Sequence, residues 1–219
     1  MKIILGALLS IIAAYLIGSV NFAVIFSTVF TGKDPRNFGS KNAGATNALR
    51  VAGKKSGILT FLCDAAKGAI AALLGVLVFK YFVILPELQS ELSPACGGFI
   101  CGLSCIIGHC WPVFFSFKGG KAVASGLGVF AVCCPPAIIL GFVLFVISLL
   151  ISKIVSLSSL IATATTIVCV VVVTIMGFYG SMAVLPVCIC SLVAAVIIFF
   201  RHSSNIERLS KGTESQIKG

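Results

Sequence analysis

Long apolar runs alternate with short polar segments along the 219 residues of this chain. The runs cover about 3–30, 57–80, 95–110, 122–152, 156–177 and 182–200, and glycine, serine, asparagine and basic residues gather between them. About 20 consecutive apolar residues suffice for an α-helix to cross the ~30 Å hydrocarbon core of a bilayer. Inside lipid a helix satisfies its own backbone, so the pattern predicts an all-α, polytopic membrane bundle, a single domain over residues 1–219. Lys2 followed by apolar residues has the look of a signal peptide. The run is too long for one and passes straight into a basic segment, so it reads as a retained span. Asn21 inside that run is either a helix–helix hydrogen bond or a contact to a site.

The run at 122–152 holds Pro135-Pro136, which must break or kink a helix. One kinked span and two short spans give opposite placements of everything that follows. The bases decide between them. With two spans, Lys33, Arg36, Lys41, Arg50, Lys54, Lys55, Lys118, Lys121, Lys153, Arg201, Arg208, Lys211 and Lys218 collect on one face, thirteen of the sixteen Lys and Arg residues. Cytoplasmic loops carry such an excess, so the reading is about seven transmembrane helices with short cytoplasmic motif loops. The N-terminus then lies outside, the C-terminus lies in the cytoplasm, and Pro86, Glu87 and Glu91 mark an external loop.

Composition agrees: 59% of the residues are hydrophobic and 10% are charged. A net charge of +10 suggests nucleic acid at first sight, but the bases sit between apolar runs, as membrane orientation requires, so no nucleic acid partner is expected. The ten cysteines lie mostly within apolar runs, where cysteine acts as a small hydrophobe. The two histidines, His109 and His202, fall in different segments, and no Cys–His spacing suits a metal. A disulfide at Cys96 stays open.

The polar segments carry the candidate chemistry. Gly39-Ser40-Lys41-Asn42-Ala43-Gly44-Ala45-Thr46-Asn47-Ala48-Leu49-Arg50 sets two glycines among hydroxyl, amide and cationic side chains. A helix starting near Ala45 would aim its positive end at this loop and place Thr46 and Arg50 on one face. The stretch is therefore a phosphate cradle or a basic loop with a short interfacial helix. Asp64 and Lys67 form an ionisable i, i+3 pair inside a span, suited to bracing a nearby site. Gly108-His109-Cys110-Trp111-Pro112 leads to Lys118-Gly119-Gly120-Lys121, and helical spacing would put Arg201, Asn205 and Arg208 on one face of the tail. The topology brings these clusters to one membrane surface, where such groups suit phosphate-bearing ligands.

Taken together, these segments resemble the bacterial membrane glycerol-3-phosphate acyltransferases that use acyl phosphate as donor. The resemblance rests on Gly39 to Asn47 with Arg50, Asp64-Ala65-Ala66-Lys67-Gly68, Gly108 to Pro112, Lys118 to Lys121, Arg201 to Leu209, and Gly212-Thr213-Glu214, in the family's order over nearly the whole chain. Three positions depart from the family pattern: Lys41 and Ala122 stand where glycine is usual, and Ser125 replaces a usual threonine. A lysine at position 41 is strained if the backbone there needs a positive φ.

The resemblance implies a seven-helix fold in the bacterial cytoplasmic (inner) membrane. It also implies transfer of an acyl group from acyl phosphate to glycerol 3-phosphate, giving lysophosphatidic acid and inorganic phosphate. Ser40, Asn42, Gly44 and Thr46, with Lys121, would hold the donor's head, and Asn47, Gly119 and Gly120 would also belong to the substrate-binding set. Arg50, His202, Asn205 and Arg208 would hold glycerol 3-phosphate, with Ser156 or Ser159 completing the pocket. Lys121, His202 and Arg50 are the catalytic candidates; Asp64, Lys67, His109 and Glu214 support them. The base is either His202 or a phosphate oxygen of the donor. No metal, no cofactor and no obligate protein partner is implied; membrane lipid surrounds the chain. An acyltransferase using a His–Asp pair five residues apart does not fit, because Phe114 and Glu207 occupy those positions. A transporter would need opposed polar elements near the midplane, and the polar residues here crowd one face.

Overall fold

The computed structural model describes residues 2–83 and 92–217. The external loop expected around Pro86, Glu87 and Glu91 lies outside the described residues. All regular structure among the described residues is helical: α1 (Lys2–Ser19), α2 (Phe22–Thr31), α3 (Ala45–Val78), α4 (Ala95–Cys110), α5 (Val123–Cys133), α6 (Pro135–Ser152), α7 (Val155–Ile175), α8 (Val184–Arg201) and α9 (Ser203–Ser210). A π-helical turn, Phe79–Val83, extends α3.

The first apolar run is two helices in series. The Asn21 side chain accepts a hydrogen bond from the Val24 N–H at 3.2 Å and caps α2, so its role is to restart the helix after α1 ends. Neither an interhelical bond nor a site contact describes it. α3 is likewise interrupted, at Gly53, whose φ of 85° and ψ of 177° lie outside the helical region. The leading segment from Ala45 therefore lies at an angle to the long apolar part that follows.

Pro135 and Pro136 occupy the first turn of α6, where the missing N–H of proline has no helical partner to lose. The run at 122–152 is thus two helices. α6 is long and apolar enough to cross a bilayer, and it is one of six such helices among the described residues. α5 has 11 residues, about 16 Å at the usual rise, and does not reach across the hydrocarbon by itself. It packs instead across α3, where a methyl group on Gly128 would overlap the Ala65 carbonyl and one on Gly68 would overlap that of Ser125. Close backbone approach through small residues is how helices associate in lipid, where burial from water supplies no drive.

α4 threads the centre, packing on α1, α3, α5 and α8. The Tyr15 hydroxyl donates to the Trp111 carbonyl over 2.8 Å, pinning α1 to the turn after α4. At the opposite end Phe99, Phe130 and Tyr179 stack edge-on, and the Tyr179 hydroxyl donates to the Cys133 carbonyl. All ten cysteines are free, and Cys96 is buried. Large apolar side chains such as Leu150, Ile151 and Met176 point outward, as a lipid-facing surface requires.

Candidate active site

The loop from Lys33 to Gly44 is shaped from within. Asn47 is buried; its Oδ1 accepts from the Ser40 N–H at 2.9 Å, and its Nδ2 donates to the carbonyls of Pro35, Phe38 and Asn42. Its amide is engaged by the loop itself, so Asn47 sets the loop's shape rather than offering a group to a ligand. Gly39 and Lys41 both take left-handed backbone, with φ of 60° and 57°. Gly44 precedes the first turn of α3, and it lines the cavity together with Ala45 and Thr46, whose N–H groups have no helical partner. Arg36 pairs with Asp34 at 2.7 Å and donates to the Phe115 carbonyl at 2.9 Å, tying this loop to the next.

That second loop is held from two sides. The His109 carbonyl accepts from the Gly120 N–H at 3.1 Å. Arg201 donates from Nε to the Gly120 carbonyl and from Nη2 to the Gly119 carbonyl, both at 2.9 Å, while its guanidinium lies over the Trp111 ring. Both polar groups of Gly120 are therefore engaged within the fold, and Gly120 buttresses the loop instead of binding a ligand. Arg201 is the residue that sequence reasoning missed in this role. Its four-residue offset from Asn205 suggested a shared ligand, and nothing local distinguishes a guanidinium that grips carbonyls from one that grips phosphate.

Beneath the loop lies a buried polar group. Asp64 pairs with Lys67 at 2.8 Å, and His109 Nδ1 approaches Asp64 at 3.6 Å and Ser125 Oγ at 3.2 Å. Lys67 also donates to the Val20 carbonyl at 2.7 Å, closing the end of α1. His109 Nε2 lies against Gly120, where an added methyl group would overlap it.

Lys121 then projects toward the tail and hydrogen-bonds to Asn205 Oδ1. Asn205 Nδ2 donates to Glu214 Oε1 at 2.6 Å, Ser156 Oγ donates to the same oxygen at 2.8 Å, and Arg208 Nε donates to Oε2 at 2.6 Å. The first turn of α7 and two successive turns of α9 thus converge on the one carboxylate of Glu214. Burial works to raise the Glu214 pKa, but hydrogen bonds from Ser156, Arg208 and Asn205 outweigh it and hold the carboxyl below its usual range. Burial lowers the Lys121 pKa to about 8, with Arg208, Arg201 and Arg50 adding to the shift against Glu214.

His202 is buried, and its Nδ1 lies 2.8 Å from the Ile198 carbonyl. A carbonyl can only accept, so Nδ1 carries the proton and Nε2 keeps a free lone pair. Burial, then the Lys121 charge, takes the His202 pKa down to about 4, so the ring is neutral at physiological pH.

A single cavity of about 970 Å³ joins these groups. Ser40, Asn42, Thr46, Arg50, Lys121, His202, Asn205, Arg208 and Ser156 line one end, and Ser159 lies near it. Arg50 makes no hydrogen bond or ion pair among the described residues. The other end runs between helices and is lined by Phe61, Leu127, Phe130, Ile138, Phe142 and Ile167. The arrangement can hold more than one anion beside a long apolar group.

The chain matches the family model described as glycerol-3-phosphate acyltransferase over residues 8–212. It is 39% identical over 210 residues to "Glycerol-3-phosphate acyltransferase 2" of Bacillus anthracis, covering 96% of this chain and 98% of the relative. It is 41% identical over 203 residues to "Glycerol-3-phosphate acyltransferase" of Albidiferax ferrireducens, covering 93% and 85%. Its structure is similar to the crystal structure of PlsY (YgiH), an integral membrane glycerol 3-phosphate acyltransferase, in the glycerol 3-phosphate form. That likeness has a TM-score of 0.80 and 34% identity, over 97% of this chain and 96% of the other. The lysophosphatidic acid form of the same protein gives 0.76 and 32%, over 97% and 95%.

Proposed function

The chain belongs to the glycerol-3-phosphate acyltransferase family, and on that premise we propose that it transfers a fatty acyl group from acyl phosphate to glycerol 3-phosphate at the cytoplasmic face of a bacterial inner membrane. The products are lysophosphatidic acid and inorganic phosphate. The observation that carries this reading is the single cavity with a cationic end and an apolar end between helices.

An acyl phosphate is a mixed anhydride and is already activated. The protein needs no covalent nucleophile; it must hold two anions side by side, aim a hydroxyl at the carbonyl carbon and stabilise the departing phosphate. Ser40, Asn42, Thr46 and the first N–H groups of α3, with Lys121, receive the acyl phosphate head. Arg50, Asn205, Arg208 and Ser156 receive the phosphate of glycerol 3-phosphate. Lys121 lies between the two groups and meets the charge that develops as phosphate leaves. Asp64, Lys67 and His109 hold the turn that presents it.

The proton of the glycerol hydroxyl has two candidate destinations. A histidine titrating near 4 is a weak base at neutral pH. A phosphate oxygen of the donor has its second pKa near ~6 and sits at the reacting centre. In this reading the donor takes the proton of the reacting hydroxyl, and His202 Nε2 accepts a hydrogen bond from the neighbouring, non-reacting hydroxyl of glycerol 3-phosphate and so orients the acceptor.

Purified protein in lipid, given acyl phosphate and glycerol 3-phosphate, is expected to release inorganic phosphate and lysophosphatidic acid in equal amounts. Turnover with acyl-CoA alone would overturn the donor assignment.

A further inference from the structure

A second, smaller cavity of about 270 Å³ lies beside the first. Ser40, Asn42, Lys121 and Arg208 border both, so Lys121 stands in the wall between them. The rest of its lining is Lys41, Gly119, Phe200, Arg201, Ser203 and Ser204. Among the described residues no carboxylate lines it, and four of its residues are cationic. Ser203 and Ser204 form the first turn of α9, where N–H groups lack helical partners. Arg201 is already engaged by Gly119 and Gly120, and Arg208 by Glu214, but Lys41 makes no side-chain hydrogen bond or ion pair among the described residues and is exposed to solvent.

The two cavities differ in what they can pass. The larger is mostly apolar beyond its charged end, a route for a lipid product. The smaller is polar and offers a succession of cations, from half-buried Lys121 outward to exposed Lys41. In the proposed reaction the glycerol oxygen bonds to the acyl carbon, the acyl carbon–phosphate oxygen bond breaks, and the hydroxyl proton leaves with the phosphate. That doubly charged ion is released against Lys121, and the polar cavity lies directly behind.

We propose that the second cavity receives inorganic phosphate after acyl transfer and passes it to the cytoplasm, with Lys41 as its outermost cation. The proposal rests on the acyl-phosphate reading. It makes phosphate a product that binds without displacing the next acyl phosphate.

The test uses the full chain in lipid nanodiscs, as wild type, Lys41→Gly and, as a charge control on the same loop, Lys33→Ala. Initial rates are measured at several acyl phosphate concentrations with added inorganic phosphate. For wild type, saturating acyl phosphate is expected to leave the inhibition in place. Lys41→Gly is expected to raise the inhibition constant at least threefold with both KM values within twofold, and Lys33→Ala to leave it unchanged. Inhibition fully relieved by acyl phosphate, or equal in wild type and Lys41→Gly, would overturn the proposal. So would a rise in KM for glycerol 3-phosphate with phosphate inhibition unaltered, which would make the cavity a port for the incoming substrate. Calorimetric binding of inorganic phosphate without donor separates the two layers of the argument. Binding weakened by Lys41→Gly in a protein that does not turn over acyl phosphate would sink the donor assignment and keep the anion site. An active enzyme showing no such binding would sink the site alone.

Discussion

Ser156 and Glu214 are 58 residues apart in the chain, and the Ser156 hydroxyl donates to Glu214 Oε1 over 2.8 Å. The contact joins the first turn of α7 to the C-terminal segment, and the Ile217 N–H repeats the tie by donating to the Lys153 carbonyl at 2.8 Å. Asn205 and Arg208 hold the same carboxylate, so Glu214 orients two residues assigned to glycerol 3-phosphate. Charge-assisted hydrogen bonds of this kind contribute about 1.5–3 kcal/mol each. Glu214→Ala is expected to lower kcat/KM for glycerol 3-phosphate by roughly 10- to 100-fold, the rate equivalent of one such bond. Glu214→Gln, which can still accept from Ser156, loses less. Steady-state kinetics of both variants check the order.

The same carboxylate gives the tail an acid limit. Its pKa is held below the usual 4.5, so its contribution to docking is complete above that value and is lost as pH falls through the lowered one. Hydrogen exchange at residues 213–217, corrected for intrinsic rate, is expected to accelerate at acid pH while α4 stays protected. Glu214→Gln removes that pH dependence.

Lys121 sets an alkaline limit. With its pKa at about 8, the free protein loses this positive charge as pH rises through that value, and affinity for both anionic substrates falls with it. The expected profile of kcat/KM declines above about 8, and Lys121→Arg, which stays charged, moves the decline upward. Lys121→Ala is expected to lose about 100- to 1,000-fold, the usual effect of deleting one donor at a developing negative charge. A variant within a few fold of wild type would remove Lys121 from the reacting centre.

His202 separates the two proton destinations. His202→Gln keeps an acceptor and a donor but cannot titrate. It is expected to reduce kcat and leave the shape of the pH profile unchanged, because the ring is neutral across the working range. Disappearance of an acid limb in the variant would assign the proton to His202.

Much of this arrangement is legible in the chain before any coordinates. The Pro135-Pro136 break and the crowding of bases between apolar runs place the first loop, the Gly-Gly-Lys turn and the tail on one face, and all three line the same cavity. The pairing of Asp64 with Lys67 follows from helical spacing. What is not legible depends on neighbours far away in the chain. Asn21 reads as a helix–helix bond or a site contact because its capping role depends on α1 ending two residues earlier, at Ser19. The amide of Asn47 and the guanidinium of Arg201 carry the same groups whether they face a ligand or a backbone carbonyl. Only the fold shows that they face carbonyls. The turn at Gly53 is also hidden, since a lone glycine in a helical pattern has many uses.

The close approach of α5 to α3 predicts a steep size limit. A side chain at Gly128 would overlap the Ala65 carbonyl, and that contact is backbone on both sides, so neither helix can yield by a rotamer change. Gly128→Val is expected to destabilise the protein by at least about 1–3 kcal/mol, the usual cost of overpacking. Two residues earlier, a Cβ on Gly126 would meet nothing nearer than Ile198 Cδ1 at 3.7 Å, so Gly126→Ala is expected to fold as wild type does. Thermal unfolding in detergent compares the two.

Lys41 and Ala122, the two positions where the family resemblance leads one to expect glycine, both sit in left-handed backbone, with φ of 57° and 59°. The reason glycine suits those positions is therefore visible here, and so is the cost of its absence. A side chain with left-handed backbone costs about 1–2 kcal/mol, because its Cβ crowds the following carbonyl. Returning glycine removes that strain but loosens the unfolded chain by about 0.4–1 kcal/mol. The difference favours glycine by roughly 0.5–1 kcal/mol at each site. Lys41→Gly and Ala122→Gly are each expected to raise the unfolding temperature by a few degrees. The sites are on separate loops, so the double variant is expected to show the sum. A fall in stability for either variant would mean that the side chain contributes contacts outweighing its strain, which for exposed Lys41 would require a bound anion.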